Sequence, residues 1–559
     1  MYMLLAEAEG AEVALLPLDA AGLPQSSARL VRPEQLAEIV REVEARRRPR
    51  WVWERAQHWY PALLAAGVSL ERCHDLALCR PILAGSEFTL KTSYPREYAP
   101  TEEPLEPPVR IAVDPAQGSL FTEFDRPVTR RGQTVEELSA ELQLQLKTVS
   151  DSQFPARLQL LLAAESAGAL VAAEMQYAGV PWRVDLHEKL LEETLGPRPT
   201  NNNIVPQRPA KMEALVREIS EKLGSAGFNP DSPQELIRAL HRAGIEVKTT
   251  RSWELEKSKH PAIAPLLAYK KLSRLFSANG WAWLDQWVLD GRFRPEYVVG
   301  GVVSGRWASR GGGALQIPKQ VRGAVHADPG YKLIVADAAQ LEPRVLTALA
   351  QDRKMAEAAQ DHDLYTGIAA QGFGGDRSKA KIALLGAMYG ATTGESGRLM
   401  PQLSRTYPRA VGLVEAAARS GERGEIVTTR LGRSCPAPSE RWLKAQRTTT
   451  EQEQRWADNL ARSRGRFTRN FVVQGSAAEW ASCWLAELRR RLRARPELAA
   501  EMVFFLHDEV MVHCPETSVT DVSLLVEEAA SAAKELLFGN APINFPVSLA
   551  VVDHYDQAK

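Results

Sequence analysis

Two apolar, strand-like runs that lie far apart in the chain each lead to an aspartate. YKLIVAD ends at Asp337, and MVFFL is separated from a second run, VMVHC, by His507, Asp508 and Glu509. The second pattern predicts a β-hairpin with acids at its tip. If folding brings Asp337 and Asp508 together, their carboxylates can hold divalent metal ions. Two alternatives stay open: Asp337 as the cap of the helix AAQLEPRVLTALAQ, and Asp508 as a solvated turn residue.

A basic helix face lies between these aspartates in the sequence. Arg377, Lys381, Leu385 and Tyr389 are spaced four residues apart in RSKAKIALLGAMYG, so they share one face of a helix that starts near Gly374-Gly375-Asp376. An arginine and a lysine one turn apart suit a triphosphate, and the next two side chains suit a base. The alternative is an amphipathic surface helix with a basic stripe.

Composition indicates a large globular chain with an uneven distribution of charge. Its 559 residues predict three or four structural units, and 69 Lys and Arg balance 69 Asp and Glu. Locally, LARSRGRFTRN (460–470) holds four arginines and no acid, which indicates either a solvated helix face or a phosphate contact. Five cysteines without a CxxC pair argue against a zinc site or disulfide framework and favour a reducing cytoplasm.

Targeting signals are not evident in the sequence. The N-terminal segment MYMLLAEAEGAE lacks a basic region followed by a long apolar stretch, so we expect no signal peptide. No uninterrupted run of about 18 apolar residues occurs, so we expect no membrane span.

The pattern of elements changes along the chain. Residues 1–90 predict an α/β unit, with two short strands in MLLAEAEGAEVALLPLD and a helix in PEQLAEIVREVEARR. Residues 91–110 are rich in proline and predict a loop or linker, and residues 134–290 are mostly helical. Short strands alternate with long helices from about 297 onward. The fold class we predict is multidomain, combining α/β and α+β parts.

Further polar residues suit a nucleic-acid partner. Arg306 precedes a loop-to-strand junction, and Arg466, Asn470 and Gln474 are four apart in RFTRNFVVQGSAAEW. Guanidinium and amide side chains on one helix face suit contacts to base edges and sugars.

Six segments, in this order along the chain from about residue 155 to the end, resemble motifs of the family A (DNA polymerase I-like) DNA polymerases. They are FNPDSPQEL, SGRWAS with LQIP, VADAAQLEPR, RSKAKIALLGAMYG, NFVVQGSAAE and LHDEV. The resemblance implies a degenerate 3′–5′ exonuclease-like (ribonuclease H-like) α/β domain followed by a right-hand polymerase, without a 5′ nuclease domain. The implied boundaries are 1–150 for the exonuclease-like domain, 151–295 for the thumb, 296–350 and 480–559 for the palm, and 351–479 for the fingers.

The implied activity is template-directed DNA synthesis in repair or replication. Deoxynucleotides would be added to a primer 3′-hydroxyl with two Mg²⁺ ions, which Mn²⁺ can replace, by a monomer in the bacterial cytoplasm associated with the nucleoid. The alternatives are a catalytically silent, polymerase-like DNA-binding factor and a bifunctional enzyme with an active exonuclease.

The resemblance also implies catalytic and metal-binding roles. Asp337 and Asp508, with the carbonyl of Ala338, would bind the metals, and Glu509 would support them. Lys381 would protonate the leaving pyrophosphate.

The resemblance also implies which residues contact the nucleotide and the DNA. Arg377 and Lys381 would hold the triphosphate, Glu342 would exclude a ribose 2′-hydroxyl, and Tyr389 would pack beside the templating position. Leu385 and Gln340 complete the implied nucleotide site. The implied DNA contacts are Arg306, Arg466, Asn470, Gln474 and His507.

The chain also departs from the family pattern. Leu385 replaces an aromatic residue, Ala338 and Ala339 replace a Tyr-Ser pair, and Pro343 replaces leucine. Asp363 falls where a phosphate-contacting histidine is expected, and an acid there weakens triphosphate binding unless it points away. We therefore expect a slow or specialised polymerase.

The N-terminal unit lacks the acids that a proofreading site needs. No Asp-x-Glu occurs in residues 1–160, and Arg55 and Trp59 stand where the second exonuclease segment would have Asn and Asp. Asp75 persists, but one carboxylate cannot hold two metal ions. We expect no proofreading.

Overall fold

A computed structural model describes residues 1–96, 133–199, 208–225, 227–310, 317–360, 363–391 and 394–558. The chain forms two compact units. The first comprises residues 1–178, 296–309 and 334–551, and the second comprises residues 179–295, 310–333 and 552–559. The predicted proline-rich loop lies outside the described residues from 97 onward. The division into thumb, palm and fingers stays a prediction.

The N-terminal part of the first unit is an α/β layer. Its strands are β1 (Tyr2–Glu7), β2 (Val13–Leu18), β3 (Arg29–Val31), β4 (Arg50–Trp53) and β5 (Arg72–Asp75). Its helices are α1 (Pro33–Arg47), α2 (Ala56–Ala65), α3 (Leu76–Gly85), α4 (Val135–Asp151) and α5 (Pro155–Ala178). The strand order is β3-β2-β1-β4-β5; β2 is antiparallel to β1 and β3, and β4 is parallel to β1 and β5. The two strands and the helix predicted here are confirmed.

This sheet is buried on both faces because its strands alternate two sets of apolar side chains. Met3 and Leu5 of β1 enter one core with Trp51, whereas Leu4 enters the other with Val52. Successive side chains of a strand point to opposite faces, so an almost continuous apolar run requires cover on each side. Helices α1 and α2 supply that cover on one side and α4 on the other.

The second unit is mostly helical, as the pattern over 134–290 predicts. Its elements before residue 296 are β6 (Val180–Pro181), α6 (Val184–Leu195), α7 (Ala210–Leu223), α8 (Pro233–Arg242), α9 (Ser252–Leu255), α10 (Ile263–Asn279), α11 (Trp281–Trp287), β7 (Val288–Leu289) and β8 (Arg292–Phe293). Its small sheet has the order β6-β8-β7. An aromatic cluster of Trp182, His187, Trp283 and Phe293 packs at its centre.

The remaining elements place the candidate site. The strands are β9 (Glu296–Val298), β10 (Ala308–Arg310), β11 (Tyr331–Ala338), β12 (Glu501–Leu506), β13 (Glu509–Pro515) and β14 (Val547–Val552). The helices are α12 (Leu341–Ala350), α13 (Arg353–Ala358), α14 (Leu364–Gly372), α15 (Arg377–Tyr389), α16 (Gly394–Thr406), α17 (Pro408–Glu422), α18 (Glu440–Ala445), α19 (Glu451–Ala494) and α20 (Val519–Phe538). The sheet order β12-β13-β11-β14 puts β11 beside a strand encoded far downstream.

Among the described helices, α5 alone is long and apolar enough to cross a membrane by length and composition. About 72% of its most apolar window is buried inside the protein, where it packs against β5, α2 and α19. That burial is typical of a core helix. The five cysteines, all within the described residues, are buried free thiols.

Candidate active site

The fold brings Asp337 and Asp508 together. Asp337 lies near the end of β11, and the N–H of the next residue, Ala338, donates to the carbonyl of Asp508 at 2.8 Å. Desolvation and then repulsion by Asp337 raise the pKa of Asp508 from 3.8 to about 6. Two negatively charged carboxylates that repel each other in a partly buried site favour a cation between them.

A two-residue turn presents Asp508. Strands β12 and β13 pair antiparallel with Leu506 opposite Glu509, which confirms the predicted hairpin. His507 has a φ of 57°, and the N–H of Asp508 donates to Leu506 O at 2.7 Å. A positive φ at a non-glycine residue carries a conformational cost. One detail of the prediction is wrong: Glu509 is not at the tip, because it already pairs as the first residue of β13 and is buried.

Asp337 is not the cap of the helix that follows it. Helix α12 begins at Leu341, and its N-cap is Gln340, which has a left-handed φ of 56°. Asp337 still belongs to β11. The capping alternative is therefore wrong, because the helix starts too late for the Asp337 side chain to be its N-cap.

Glu342 connects α12, α15 and the loop that carries Arg306. It lies in the first turn of α12, is 9% exposed, pairs with Arg306 and accepts a hydrogen bond from Tyr389 Oη at 2.6 Å. Burial, followed by the Glu342 carboxylate, raises the pKa of Tyr389. The positive charge of Arg306 also reaches the hairpin, where desolvation and Arg306 lower the pKa of His507.

Helix α15 forms where the spacing predicts it. The Asp376 carboxylate caps it by accepting from the N–H of Lys379 at 3.1 Å, and Gly390 ends it with a φ of 73°. The face that the four-residue spacing defines is accessible: Arg377, Lys381 and Tyr389 are exposed and Leu385 is half-buried. The predicted helix start and shared face are confirmed.

The basic end of α15 is anchored by two residues of the preceding segment. Arg377 Nε donates to Asp363 Oδ2 at 2.6 Å. The Arg377 guanidinium carbon and Lys381 Nζ lie 5.5 Å and 6.0 Å from the centroid of the Tyr365 ring. Burial alone would raise the pKa of Asp363, but hydrogen bonds from Arg377 and Gln340 hold it below its usual value. Tyr365 was not among the residues predicted from the sequence.

Gln340 joins the strand-end aspartate segment to this basic region. Its Nε2 donates to Asp363 Oδ1 at 2.8 Å, and its Oε1 accepts from the N–H of Leu364 at 2.8 Å. The left-handed backbone of Gln340 thus supports a side chain that fixes the start of α14. This contact favours a positioning role for Gln340.

A model of DNA polymerase family A matches residues 201–556, more than half of the chain. The chain belongs to DNA polymerase family A. The resemblance carried by the six segments is thereby confirmed.

Curated relatives agree with this assignment to family A. The chain is 25% identical to a thermostable DNA polymerase I of Thermus thermophilus over 391 residues, covering 61% of this chain and 43% of that protein. It is 25% identical to a thermostable DNA polymerase I of Thermus filiformis over 550 residues, covering 88% and 60%. The chain thus spans about half the length of the curated relatives it matches.

A solved structure shares the fold of this family A chain. It is the POL domain of Pol1 from M. smegmatis in complex with DNA primer-template and dNTP. The TM-score is 0.69 at 19% identity, covering 100% of this chain and 95% of that one. At this identity the match shows the fold alone.

In this family A chain, α19 carries the other predicted contacts. Arg466 is exposed, and Asn470 and Gln474 are half-buried on the same face. A Cβ at Gly390 would lie 2.8 Å from Arg466 Cγ, so the Arg466 stem packs over the end of α15. Among the described residues, the buried Oδ1 of Asn470 has no hydrogen-bond partner.

The four arginines of residues 460–470 divide into two pairs. Arg469 is buried, pairs with Glu415 at 2.6 Å and donates to Ala387 O at 3.0 Å. Arg464 donates to the carbonyls of two residues outside α19. Arg462 and Arg466 are exposed. Two arginines of the stretch therefore support the fold, and two are accessible to a ligand.

A buried ion pair supports the segment that carries Arg306. Arg433 Nη2 bonds to Glu165 of α5 at 2.6 Å, and a Cβ at Gly305 would lie 2.5 Å from Arg433 Nε. Gly305 also has a φ of 86°, so glycine satisfies both the space and the backbone. Arg433 and Glu165 were not among the residues predicted from the sequence, although an acid inside the apolar run LLLAAESAGALV was an available signal.

The donor set fits a magnesium-like ion. Among the described residues there is no group of three or more His, Cys, Asp and Glu side chains in metal-binding proximity. The predicted donors are instead the carboxylates of Asp337 and Asp508 and the carbonyl of Ala338. These are hard oxygen donors, which Mg²⁺ prefers, and Mg²⁺ keeps several waters when few protein ligands are present.

Proposed function

We propose that this chain is a template-directed DNA polymerase that adds deoxynucleotides to a primer 3′-hydroxyl. The observation that carries the proposal is the juxtaposition of Asp337 and Asp508 in a family A fold. The curated relatives are DNA polymerases I, and the fold neighbour was solved with primer-template DNA and dNTP.

The paired aspartates are the catalytic centre in this proposal. Two Mg²⁺ ions, or Mn²⁺ in their place, would supply charge stabilisation and activation of the attacking hydroxyl when bound. Asp337, Asp508 and the Ala338 carbonyl would hold them, with Glu509 as a supporting acid beside the turn. Burial and then the charge of Asp337 raise the pKa of Asp508 to about 6, and a bound cation would relieve the repulsion between the two ionised carboxylates.

The accessible face of α15 is the nucleotide site. Lys381 would bind the triphosphate and protonate the leaving pyrophosphate, and Arg377 would present its Nη groups to the phosphates while Nε stays on Asp363. Glu342, held by Arg306 and Tyr389, would exclude a ribose 2′-hydroxyl. Leu385 leaves sugar contacts weaker than an aromatic residue would.

Primer–template contacts come from two surfaces of the first unit. Arg466, Asn470 and Gln474 line one face of α19, and the buried, unpartnered Oδ1 of Asn470 suits a donor from a base or sugar. Arg306 and His507 lie near the catalytic pair, since Arg306 influences the pKa values of both His507 and Asp508. Tyr389 would pack beside the templating position.

The N-terminal α/β layer is an exonuclease-like domain without proofreading in this proposal. Asp75 is buried, and its two carboxylate oxygens accept from the N–H groups of Leu78 at 3.0 Å and Ala56 at 2.8 Å. A carboxylate engaged in this way caps α3 instead of facing a metal. Arg55 and Trp59 stand where the other polar residues of the segment would be.

A catalytically silent, DNA-binding relative is the second candidate. Its support is the Asp363–Arg377 ion pair, which brings a negative charge to the proposed triphosphate site. The paired aspartates favour the enzyme, because DNA binding alone does not need them. The cellular setting we propose is repair or replication in the bacterial cytoplasm at the nucleoid, as a monomer.

Primer extension distinguishes these functions. The wild-type chain with Mg²⁺ and dNTPs should extend a primed template, and Asp508→Asn should abolish extension while retaining DNA binding. No extension by wild type, with binding intact, would favour the silent factor. Loss of primer 3′ nucleotides without dNTPs, unchanged in Asp508→Asn, would instead reveal an active exonuclease.

A further inference from the structure

One face of α19 carries two large aromatic side chains that are open to solvent. Trp456 is 58% exposed and Phe467 is 39% exposed. They recur at helical spacing with Asn470 and Gln474, two of the proposed DNA contacts. We define the α19 stripe as Trp456, Leu460, Ser463, Phe467, Asn470 and Gln474.

The stripe lies on the side of α19 away from α17. Thr468 Oγ1 donates to Ala417 O at 2.7 Å, and a Cβ at Gly465 would lie 2.7 Å from Glu422 Cγ. These contacts assign the opposite face of α19 to packing within the unit. The side chains of Trp456 and Phe467 are thus not needed to build the core.

Phe467 is exposed on one side and packs against a buried ring on the other. Its ring packs on that of Phe471, with 5.7 Å between centroids, and Phe471 is 2% exposed. A ring supported in this way loses little conformational entropy when a second flat group stacks on it. The arrangement suits a stacking platform.

Charge along this part of the helix favours a polyanion. Residues 459–478 contain no Asp or Glu. The exposed Arg462 and Arg466 flank the stripe, whereas Arg464 and Arg469 are engaged within the protein. Aromatic faces interleaved with exposed guanidinium groups are the combination that binds bases and phosphates of a single strand.

The stripe is continuous with the proposed templating position. Arg466 packs over Gly390, the residue after Tyr389. Phe467 is the next residue along α19, and Trp456 lies about 16 Å farther toward the start of the helix, at about 1.5 Å per residue. A strand leaving the templating position along α19 therefore meets Phe467 before Trp456.

We infer that the α19 stripe binds single-stranded template DNA that has not yet been copied. Bases stack on Phe467 and Trp456, and phosphates contact Arg462 and Arg466. The inference rests on the proposed function. Single-stranded rather than duplex DNA is the occupant, because a duplex hides the faces of its bases in its own stack and leaves none for the aromatic rings.

The test compares two DNA ligands with the same duplex. One carries a single-stranded template overhang about 8 nucleotides long, within the range that such platforms cover, and the other is blunt. Fluorescence anisotropy gives Kd for wild type and for the double variant Trp456→Ala/Phe467→Ala. Tyr177→Ala, which removes a 42%-exposed aromatic side chain from α5, is the matched control.

The double variant should bind the overhang DNA at least about tenfold more weakly, since each lost base–aromatic stack weakens binding about fivefold or more. Its Kd for blunt DNA should stay within about twofold of wild type, and Tyr177→Ala should match wild type on both. Abasic nucleotides in the overhang should weaken wild-type binding and remove most of the difference between wild type and the double variant. Circular dichroism verifies folding.

Equal loss on both ligands, or no loss on either, would overturn the inference. A loss that persists with the abasic overhang would also overturn it, because stacking requires bases. Failure of the proposed function has a different signature: wild type then fails to extend even a primer with a single uncopied template nucleotide. Extension by wild type together with unchanged overhang binding by the double variant rejects only the α19 stripe as the template platform.

Discussion

Asp363 Oδ2 accepts a hydrogen bond from Arg377 Nε at 2.6 Å while Asp363 Oδ1 accepts from the N–H of Tyr365 at 2.9 Å, at the start of α14. The same carboxylate therefore caps the start of α14 and orients the arginine that begins α15. Because Arg377 pairs with Asp363 through Nε, its two Nη groups remain available to a ligand. The negative charge of Asp363 nevertheless stays near any bound polyphosphate.

Asp363→Asn should lower KM for dNTPs about threefold to tenfold with little change in kcat. Asparagine keeps one oxygen, which can still cap α14, but it turns its amide nitrogen toward Arg377 and so removes both the acceptor of Arg377 Nε and a charge that repels phosphate. Steady-state primer extension measures the effect. Asp376→Asn is the control, because Asp376 caps α15 and pairs with Lys379 instead. An equal change in both variants would show a general charge effect and not a role of the Asp363–Arg377 pair.

Glu342→Ala should raise the use of ribonucleotides relative to deoxynucleotides by about tenfold or more. The substitution opens space at the proposed sugar position and releases both Arg306 and Tyr389. The ratio of kcat/KM for dATP and ATP measures the change. Tyr389→Phe removes one hydrogen bond to Glu342 and leaves the carboxylate in place, so its ratio should change much less. Equal ratios in wild type and Glu342→Ala would contradict the assigned role.

Asp508→Asn should raise the free energy of unfolding by about 2 kcal/mol at pH 8 in EDTA. The folded state raises the pKa of Asp508 from 3.8 to about 6, so the protonated form is favoured by folding. Well below pH 4 the carboxyl is protonated in both states and destabilises neither, and stability is lost as pH rises from about 4 to about 6. Urea unfolding at pH 4 and pH 8 measures the difference, which should be smaller at pH 4.

The control for Asp508→Asn is another buried acid with favourable partners. Asp352 accepts from the N–H groups of Met355, Arg409 and Ala410 at 3.2 Å each. Asp352→Ala should lower stability at pH 8. A lower stability for Asp508→Asn at pH 8 would show that the carboxylate is satisfied without metal.

Asp75→Ala should lower the free energy of unfolding by about 2 kcal/mol and leave primer extension unchanged at a temperature where the variant stays folded. The substitution removes the N-cap of α3 and leaves the N–H of Ala56 without its acceptor. Thermal unfolding and extension assays measure the two outcomes. If wild type degrades primer 3′ ends and Asp75→Ala does not, Asp75 belongs to a working exonuclease site.

Gly305→Ala should destabilise the chain by about 2 kcal/mol and reduce extension. Alanine is strained at a φ of 86°, and its Cβ would displace the Arg433 side chain that lies beside the Arg306 segment. Gly374→Ala is the matched control, because its φ is 60° and no atom of the described residues lies within 4 Å of an added Cβ. If Gly305→Ala and Gly374→Ala lower the free energy of unfolding equally, the strained backbone alone accounts for the effect at Gly305.

Local patterns were sufficient to predict the elements that carry the site. Four-residue spacing after a capping aspartate predicted α15, and two apolar runs around His507 and Asp508 predicted the β12–β13 hairpin, because caps, turns and periodicity act over a few residues. The ordered segments were also sufficient to identify family A. None of these inferences needed a long-range contact.

Only the tertiary structure decided which partner each polar side chain takes. The sequence left Asp337 open between cap and site, and pairing of β11 with β13 placed it beside Asp508. Neighbouring arginines of α19 divide between core and surface, with Arg469 on Glu415 and Arg466 exposed. A side chain's charge is encoded locally, but its burial and partner depend on segments far away in the sequence, which meet only when the core packs.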